Sequence, residues 1–296
     1  MNIVCASSLA LGRDMFSTLG DVVVLPERDI NADVVREADA LIVRSKVRIT
    51  RELLEGSRVS FVGTATAGTD HMDLSWLEEH GVAWTSAPGS NARSVAAYVA
   101  AALLRVAVRH SLSLEGKKLA LVGVGHVGRA VAELAPALGL EVLLNDPPRA
   151  TAEGLACLRP LDEVLAQADI VSLHVPLTVA GPFATQRMVD CRFLSQVKPG
   201  CLFVNAARGE VVDEDSLLLA LGQGWISRAI LDVFECEPRL RCDVAAQADL
   251  VTPHIAGYSY EGRVKGTQMC YEAACRFVEK DPTWRATPAD RPACPT

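Results

Sequence analysis

Short apolar, largely β-branched segments alternate with amphipathic segments along the whole chain. The apolar segments predict strands, which in chain order cover residues 2–6, 22–25, 40–43, 59–62, 82–85, 119–122, 141–144, 170–173, 202–205, 229–231 and 250–251. The spacing of apolar residues between them predicts helices, among them 13–19, 51–54, 74–80, 127–138 and 267–279. Because strands that alternate with helices form parallel sheets covered on both faces, the pattern predicts an α/β protein of two doubly wound units.

A long helix is predicted over residues 92–110, between the two series of strands. Asn91 or Ser90 can cap its first turn. The helix is apolar on nearly all sides, so most of its surface must be buried. Two placements fit this pattern equally well: a junction between domains or subunits, or the core of one domain.

Length and charge narrow the classes of protein. A single core rarely extends beyond about 250–300 residues, and the chain has 296, which favours two domains. The formal charge is −7, from 29 basic and 36 acidic residues, and this disfavours a nucleic-acid partner. The proline-rich segment 282–296 has little apolar surface to bury and predicts a flexible tail.

Cysteine usage indicates the compartment. Nine cysteines are scattered along the chain without any C-x-x-C pair, so neither a metal site nor a disulfide framework is expected. The N-terminus lacks a basic leader, and no apolar run reaches the roughly 20 residues of a membrane helix. These features predict a cytoplasmic protein with reduced thiols.

The segment G-V-G-H-V-G at residues 123–128 is a candidate cofactor loop. It follows a predicted strand and opens a predicted helix, where Gly123, Gly125 and Gly128 allow a tight turn, close approach of a pyrophosphate and close helix packing. Asp146 ends the next strand, at the spacing where a carboxylate binds the ribose hydroxyls of NAD. Its charge favours NAD over NADP, although Arg149 is near enough in sequence to weaken that preference. A glycine turn without a ligand is the alternative.

Histidine is the side chain best suited to move a proton near neutral pH. The six histidines are His71, His80, His110, His126, His174 and His254. His80 and His110 end helices, and we expect them to be solvated residues favoured by the helix dipole. His254 differs, because it ends a short strand and enters a glycine-containing segment, where a doubly wound sheet forms its ligand crevice.

Two other strand ends carry charge. Arg208 follows strand 202–205, and its planar guanidinium can bind a carboxylate through two hydrogen bonds. Glu237 follows strand 229–231 and can hold His254 in one tautomer and raise its pKa. Each residue alone is as typical of an exposed surface as of a site. The prediction that Arg208, Glu237 and His254 form one site rests on their common position at strand ends of one sheet.

Several motifs in fixed order resemble the D-2-hydroxyacid dehydrogenase family. They are G-V-G-H-V-G, Asp146, H-V-P-L-T (174–178), V-N-A-A-R-G (204–209), L-D-V-F-E-C-E-P (231–238) and T-P-H-I-A-G-Y (252–258). The resemblance implies a flavodoxin-like substrate domain, residues 1–91 and 262–281, and a Rossmann NAD-binding domain, residues 92–261, which flank a cleft. It implies hydride transfer between NAD and a small D-2-hydroxy acid.

The resemblance also implies the roles of individual residues. His254 is the acid/base, Glu237 is its partner and Arg208 is the cation that binds the substrate. The implied cofactor contacts are Gly123, Gly125, His126, Val127, Gly128, Asp146, Val175, Ala206, Ala207, Arg208, Asp232 and Gly257. The implied substrate contacts are Ser45, Thr66 and Tyr258.

Segments 61–73, 145–150 and 254–262 resemble the branch of this family that oxidises 4-phosphoerythronate to 2-oxo-3-hydroxy-4-phosphobutanoate in pyridoxal phosphate biosynthesis. Members of that branch continue into a further C-terminal dimerisation domain, so we expect a homodimer here to use helix 92–110. A phosphorylated substrate needs a second cation. Arg44, Lys46 and Arg48 alternate around Ser45 and could share one face, although a solvated basic edge fits equally well.

Two other functions stay open. The first is a D-2-hydroxyacid dehydrogenase for another substrate, such as 3-phosphoglycerate, a phosphonate or an unphosphorylated hydroxy acid. The second is a non-catalytic protein that binds and senses NAD(H). Turnover with a panel of 2-oxo acids separates enzyme from sensor.

Overall fold

The structure is a computed structural model that describes residues 1–285. Its strands are β1 (Asn2–Ala6), β2 (Asp21–Leu25), β3 (Ala40–Val43), β4 (Phe61–Thr64), β5 (Ala83–Thr85), β6 (Lys118–Val122), β7 (Glu141–Asn145), β8 (Ile170–Leu173), β9 (Cys201–Asn205), β10 (Ile226–Leu231) and β11 (Leu250–Val251). Its α-helices are α1 (Gly12–Phe16), α2 (Ala32–Val35), α3 (Arg51–Leu54), α4 (Leu74–Glu79), α5 (Ala92–His110), α6 (His126–Leu134), α7 (Pro147–Glu153), α8 (Leu161–Gln167), α9 (Cys191–Leu194), α10 (Glu214–Gly222), α11 (Cys242–Gln247) and α12 (Tyr260–Phe277). The alternation of strands and helices confirms the predicted α/β class.

The chain divides into two compact units. The first unit comprises Met1–Asn91 and the segment from Ser259 onward, and the second comprises Ala92–Tyr258. In the first unit, five parallel strands pair in the order β2-β1-β3-β4-β5. This is the flavodoxin-like order, in which the chain reverses direction across the sheet beside β1.

The second unit contains a six-stranded parallel sheet with the order β11-β10-β9-β8-β6-β7. The chain moves outward from β6 to β7 and then returns to the other side of β6 with β8. Ligands of doubly wound sheets bind at such a reversal, beyond the carboxyl ends of the strands. The glycine loop directly follows β6.

Both faces of this second sheet are buried. Along β6, Leu119 and Leu121 pack into one hydrophobic cluster, and Ala120 and Val122 pack into the other. Successive side chains of a strand point to opposite faces, so a strand covered on both sides reads as one continuous apolar run. This explains why the strands of the second unit are visible in the sequence.

Helix α5 is a core helix on one face only. Val95, Val99 and Leu103 are buried in the cluster that also contains α6 residues. On another face, Leu104 is 46% exposed and Val108 is 76% exposed. The expectation of burial on most sides is therefore not met within this chain.

Helix α12 begins at Tyr260, seven residues earlier than predicted. Ser259 caps it by accepting a hydrogen bond from the N–H of Gly262. The predicted helix starts only after Gly266, because glycine is a poor helix former. A Cβ atom at Gly266 would lie 2.7 Å from the carbonyl oxygen of Ala65. The glycine thus allows close packing and does not interrupt the helix.

The predicted flexible tail lies mostly outside the described residues, since 286–296 are beyond them. At its start, the N–H groups of Thr283 and Trp284 donate hydrogen bonds to the Tyr271 hydroxyl. Among residues 1–285, no helix is long and apolar enough to cross a membrane.

Candidate active site

The glycine loop lies between β6 and α6 and has the shape that a dinucleotide requires. Gly123 has φ +91°, and a Cβ there would lie 2.7 Å from the carbonyl carbon of His174. A Cβ at Gly128 would collide with the carbonyl oxygen of Gly123. At Gly125, in contrast, a Cβ would meet nothing within 4 Å, so this position faces open space. Such an open loop before a helix N-terminus fits the pyrophosphate of NAD.

Asp146 binds the glycine loop directly. Its Oδ2 accepts a 2.8 Å hydrogen bond from the N–H of Val124, and its Oδ1 caps α7 through the N–H of Arg149. The Arg149 guanidinium donates to the carbonyl oxygen of Val124 and to both carboxylate oxygens of Glu153. Asp146 and Arg149, the two charged residues that affect the choice between NAD and NADP, are therefore both hydrogen-bonded to Val124 of the loop.

Arg208 lies in a turn that follows β9. Asn205, the last residue of that strand, accepts a hydrogen bond from the N–H of Ala207 and donates one to the carbonyl oxygen of Arg208. Arg208 also donates to the carbonyl oxygen of Ala207. Sequence reasoning did not identify Asn205. The sequence feature that could have identified Asn205 is a polar residue at the end of a buried apolar strand, because such a side chain must form hydrogen bonds with nearby backbone groups.

His254 and Glu237 form the central contact of the site. Nδ1 of His254 lies 2.8 Å from Oε2 of Glu237, and the N–H of Phe234 donates to Oε1 of Glu237 at 3.0 Å. Because a carboxylate only accepts, the proton of this contact lies on Nδ1. Nε2 is then the ring nitrogen that can exchange a proton with a substrate. The imidazole is half exposed, which allows a substrate to reach it.

Charge couples the three residues predicted to be catalytic. The hydrogen bond and negative charge of Glu237 raise the pKa of His254 above its usual value, against burial and the positive charge of Arg208. Burial acts to raise the pKa of Glu237, but His254, the Phe234 N–H and Arg208 together hold it below the usual value. The structure therefore brings Glu237 and His254 into contact at the carboxyl edge of one sheet, with Arg208 near enough for its charge to act on both.

Asp232, the residue after β10, is 1% exposed. Its Oδ1 accepts hydrogen bonds from the Thr252 hydroxyl at 2.5 Å and from the N–H of Ile255 at 2.8 Å. Its Oδ2 accepts the N–H of Ala256 at 2.8 Å. Asp232 thus binds the segment that carries His254.

The other residues implied as cofactor contacts also follow strands of the second sheet. His126 and Val127 begin α6, Val175 follows β8 by two residues, and Ala206 and Ala207 follow β9. Gly257 lies beyond β11 in the same segment as His254. All of them lie at the edge where the strands end.

The residues implied as substrate contacts lie in both units. Ser45 and Thr66 follow the neighbouring strands β3 and β4 of the first unit, and Tyr258 is the last residue of the second. The Thr66 hydroxyl lies 2.8 Å from that of Thr64 and donates to the carbonyl oxygen of Gly68. Nε2 of His71 lies 2.9 Å from the same Thr64 hydroxyl. These contacts fix the turn after β4.

The basic segment after β3 differs from the expectation. Strand β3 ends at Val43, and the N–H of Val47 donates to the carbonyl oxygen of Arg44, which closes a turn. Alternation along a strand therefore does not continue through Arg44, Lys46 and Arg48, and their spacing does not put them on one face. Arg44 is partly buried, whereas Lys46 and Arg48 are exposed.

The remaining histidines have structural contacts. His80 stacks on Trp76 and bonds its carbonyl oxygen at the end of α4, as a terminal helix residue should. The expectation that His110 is solvated is wrong, because His110 is mostly buried and pairs with Asp249. Burial lowers the pKa of His174 to about 4, so this imidazole is neutral. In the described part of the chain, no group of three His, Cys, Asp or Glu side chains could hold a metal ion.

Comparisons with known proteins agree with this geometry. Residues 92–256 match the family model described as the NAD-binding domain of D-isomer specific 2-hydroxyacid dehydrogenases. The chain is 42% identical over 278 residues to an erythronate-4-phosphate dehydrogenase of Escherichia coli O157:H7 (strain EC4115 / EHEC), covering 94% of this chain and 74% of that protein.

Solved structures share the whole fold. The TT0316 protein of Thermus thermophilus has a TM-score of 0.80 at 29% identity, covering 96% of this chain and 99% of that one. An NAD+-bound 3-phosphoglycerate dehydrogenase of Entamoeba histolytica has a TM-score of 0.82, covering 94% and 95% of the two chains. At 22% identity, the latter likeness speaks for the fold alone.

Proposed function

Because the chain belongs to the D-isomer specific 2-hydroxyacid dehydrogenases, which are NAD-dependent and act on CH–OH groups, we propose that Arg208, Glu237 and His254 catalyse its reaction. The observation that carries this proposal is the Nδ1–Oε2 hydrogen bond of His254 and Glu237 beside the charge of Arg208. A base held in one tautomer by a carboxylate, with a cation nearby, is the arrangement that dehydrogenation of a hydroxy acid needs.

The chemistry that NAD would supply when bound is acceptance of the hydride from C2 of the hydroxy acid. The side chains of the protein manage the proton and the substrate charge. In oxidation, neutral His254 takes the hydroxyl proton at Nε2, and Glu237 stabilises the imidazolium that results. In reduction, protonated His254 returns the proton to the carbonyl oxygen. Arg208 binds the substrate carboxylate and polarises the C2 oxygen.

The glycine loop and Asp146 would hold the cofactor. The N–H groups at the start of α6 would bind the pyrophosphate, and the Asp146 carboxylate would accept hydrogen bonds from the ribose hydroxyls. The turn after β9 and the segments that contain Val175, Asp232 and Gly257 would complete the cofactor contacts. The open space at Gly125 supports this assignment.

We propose 4-phosphoerythronate as the substrate. The 42% identity to erythronate-4-phosphate dehydrogenase, over nearly the whole of this chain, supports this choice. Ser45, Thr66 and Tyr258 would contact the substrate. The turn after β3 removes the argument from a shared strand face, so the proposal that Arg44 and Lys46 bind the phosphate rests on their position on either side of Ser45, an implied substrate contact.

A substrate panel tests the proposal. Steady-state rates with NAD should be compared for 4-phosphoerythronate, 3-phosphoglycerate, a phosphonate analogue and the unphosphorylated acids. We expect the highest kcat/KM for 4-phosphoerythronate. Preference for another acid would reassign the substrate, and NAD binding without turnover of any acid would favour an NAD(H)-sensing protein.

The phosphate contact has a test of its own. Replacing Arg44 and Lys46 with Met should raise KM for a phosphorylated acid and leave KM for its unphosphorylated analogue nearly unchanged. Arg58→Met is a matched control, because Arg58 is an exposed cation that pairs with Asp39. Asp39 directly precedes β3, so this pair lies at the other end of the strand from Arg44 and Lys46. Equal effects on both acids would contradict the assignment.

A homodimer formed through α5 is the proposed assembly. Leu104 and Val108 on α5, and Leu112 two residues after it, are apolar and 45–76% exposed. A second copy that covers them would satisfy the burial that the apolar sequence of α5 calls for. The cytoplasmic location stays a prediction of the sequence.

A further inference from the structure

Helix α5 is hydrogen-bonded to the segment that carries His254. The Ser94 hydroxyl donates to the carbonyl oxygen of Ala256 at 2.9 Å, and the hydroxyls of Tyr98 and Thr252 are 2.6 Å apart. Ser94 and Tyr98 are four residues apart on α5, so both point to the same side of the helix. The helix thus binds this segment on both sides of His254.

The direction of the hydrogen bonds follows from proton count. The Thr252 hydroxyl has one proton, which it donates to Oδ1 of Asp232 at 2.5 Å. Thr252 therefore accepts in its 2.6 Å contact with Tyr98, and the phenol is the donor. The chain of donors runs from Tyr98 through Thr252 to a buried carboxylate. Hydrogen bonds linked in this way polarise one another, and a charged acceptor strengthens them.

Asp232 links these hydroxyls to the backbone of residues 254–256 through hydrogen bonds. Its two carboxylate oxygens bind the N–H groups of Ile255 and Ala256, and its carbonyl oxygen binds the N–H of His254 at 2.8 Å. His254 itself has φ +56°, in the left-handed region that side chains other than glycine rarely occupy. Such a conformation persists only where surrounding contacts hold it.

We propose that Tyr98 is a positioning residue for His254. Through Thr252 and Asp232, Tyr98 holds the left-handed turn that directs the imidazole to Glu237. This inference rests on the proposed role of His254 as acid and base. Tyr98 contacts no reacting atom in this scheme. It lies on α5, in a part of the chain that none of the sequence motifs covers.

Three substitutions test the proposal. Tyr98→Phe removes the first donor and keeps the ring, Thr252→Val removes the relaying hydroxyl and keeps the shape, and Thr252→Ser keeps the hydroxyl as the matched control. In the 296-residue protein we expect Tyr98→Phe and Thr252→Val to lower kcat about 10- to 100-fold, since small misplacements of a catalytic group have effects of this size. KM for NAD should change little, and Thr252→Ser should keep the wild-type kcat.

A second readout follows His254 without turnover. Titration of its imidazole by nitrogen NMR reports the pKa set by Glu237, Asp232 and Arg208, the charged groups that act on it. In Tyr98→Phe and Thr252→Val the pKa should fall, because a displaced ring loses part of its contact with Glu237. The double variant should resemble Thr252→Val alone, because Tyr98 acts only through that hydroxyl.

The outcomes separate this inference from the proposed function. If both variants melt at lower temperature but keep wild-type kcat and the wild-type His254 titration, Tyr98 only packs α5 and the inference is wrong. If His254→Gln retains turnover, the role proposed for His254 fails. A shifted titration in Thr252→Val would still support the positioning chain in that case.

Discussion

Glu237 Oε2 lies 2.8 Å from Nδ1 of His254, and this contact raises the pKa of the histidine while lowering that of the glutamate. The proposed reduction of an oxo acid needs protonated His254, so we expect its rate to fall as pH rises through a value above 6.5. Oxidation needs the neutral ring and should show the opposite dependence. In Glu237→Gln, both limbs should move to lower pH. The pH dependence of kcat/KM in both directions checks this, and an unmoved limb would contradict it.

The same pair contributes to stability with opposite pH limits. The contribution of His254, whose pKa is raised, is complete below about pH 6.5 and is lost as pH rises through its folded pKa. The contribution of Glu237, whose pKa is lowered, is present above about pH 4.5 and is lost as pH falls through its folded pKa. Both side chains are a third or more exposed, so we expect the effect on melting temperature to be small.

Two glycines of the cofactor loop should respond differently to alanine. At Gly128 the added methyl group collides with the backbone of Gly123, so Gly128→Ala should destabilise the fold by about 1–3 kcal/mol. At Gly125 the methyl group enters open space, so Gly125→Ala should keep its melting temperature without NAD.

Binding distinguishes the two variants further. Gly125→Ala should bind NAD at least roughly tenfold more weakly, which corresponds to about 1.4 kcal/mol of lost contact with the pyrophosphate. Thermal melting with and without NAD measures both effects. Undiminished stabilisation of Gly125→Ala by NAD would mean that the pyrophosphate does not lie over this glycine.

Most strands are predictable because they are short apolar runs, and β3, β4, β8 and β9 are buried along their whole length. β1, β3, β8 and β11 have the predicted ends, whereas β4 begins two residues later than predicted, at Phe61. The predicted strand includes Val59, which is buried before β4 begins. Burial thus shows in the sequence more clearly than backbone pairing does.

The candidate site is predictable only where residues lie at strand ends within motifs. The contacts that hold these residues in place are not predictable, because they depend on packing between distant segments. Tyr98 and Thr252 are separated by 154 positions, and His110 pairs with Asp249 across 139. No local pattern distinguishes Tyr98 from other apolar residues of α5, and a helix-terminal histidine looks the same whether or not it has a partner.

Choice of cofactor should depend on the residues bound to Val124. The Asp146 carboxylate repels a 2′-phosphate, so KM for NADP should exceed KM for NAD. Glu153 binds one side of the Arg149 guanidinium. Glu153→Ala should free that side of the cation and so reduce the preference for NAD over NADP. Asp146→Ser with Glu153→Ala should narrow it further, on the order of tenfold for each 1.4 kcal/mol of repulsion removed.

A similar ion pair provides the control for this experiment. Arg51 and Glu55 also pair four residues apart, but they lie at α3 in the first unit. Glu55→Ala should leave the ratio of kcat/KM for NAD and NADP unchanged. A ratio that changes equally in Glu153→Ala and Glu55→Ala would show that Arg149 has no special effect on cofactor choice.

Assembly should depend on the exposed apolar face of α5. Burying Leu104 and Val108 in a subunit interface would contribute about 1.5–3 kcal/mol for each side chain, so Leu104→Asp or Val108→Asp should shift a dimer to monomers. Leu219→Asp is the control, because Leu219 is also 46% exposed on a helix of the same unit but lies on α10. Sedimentation equilibrium measures the change. If the wild type is monomeric, or if all three variants remain dimeric, this face does not form the interface.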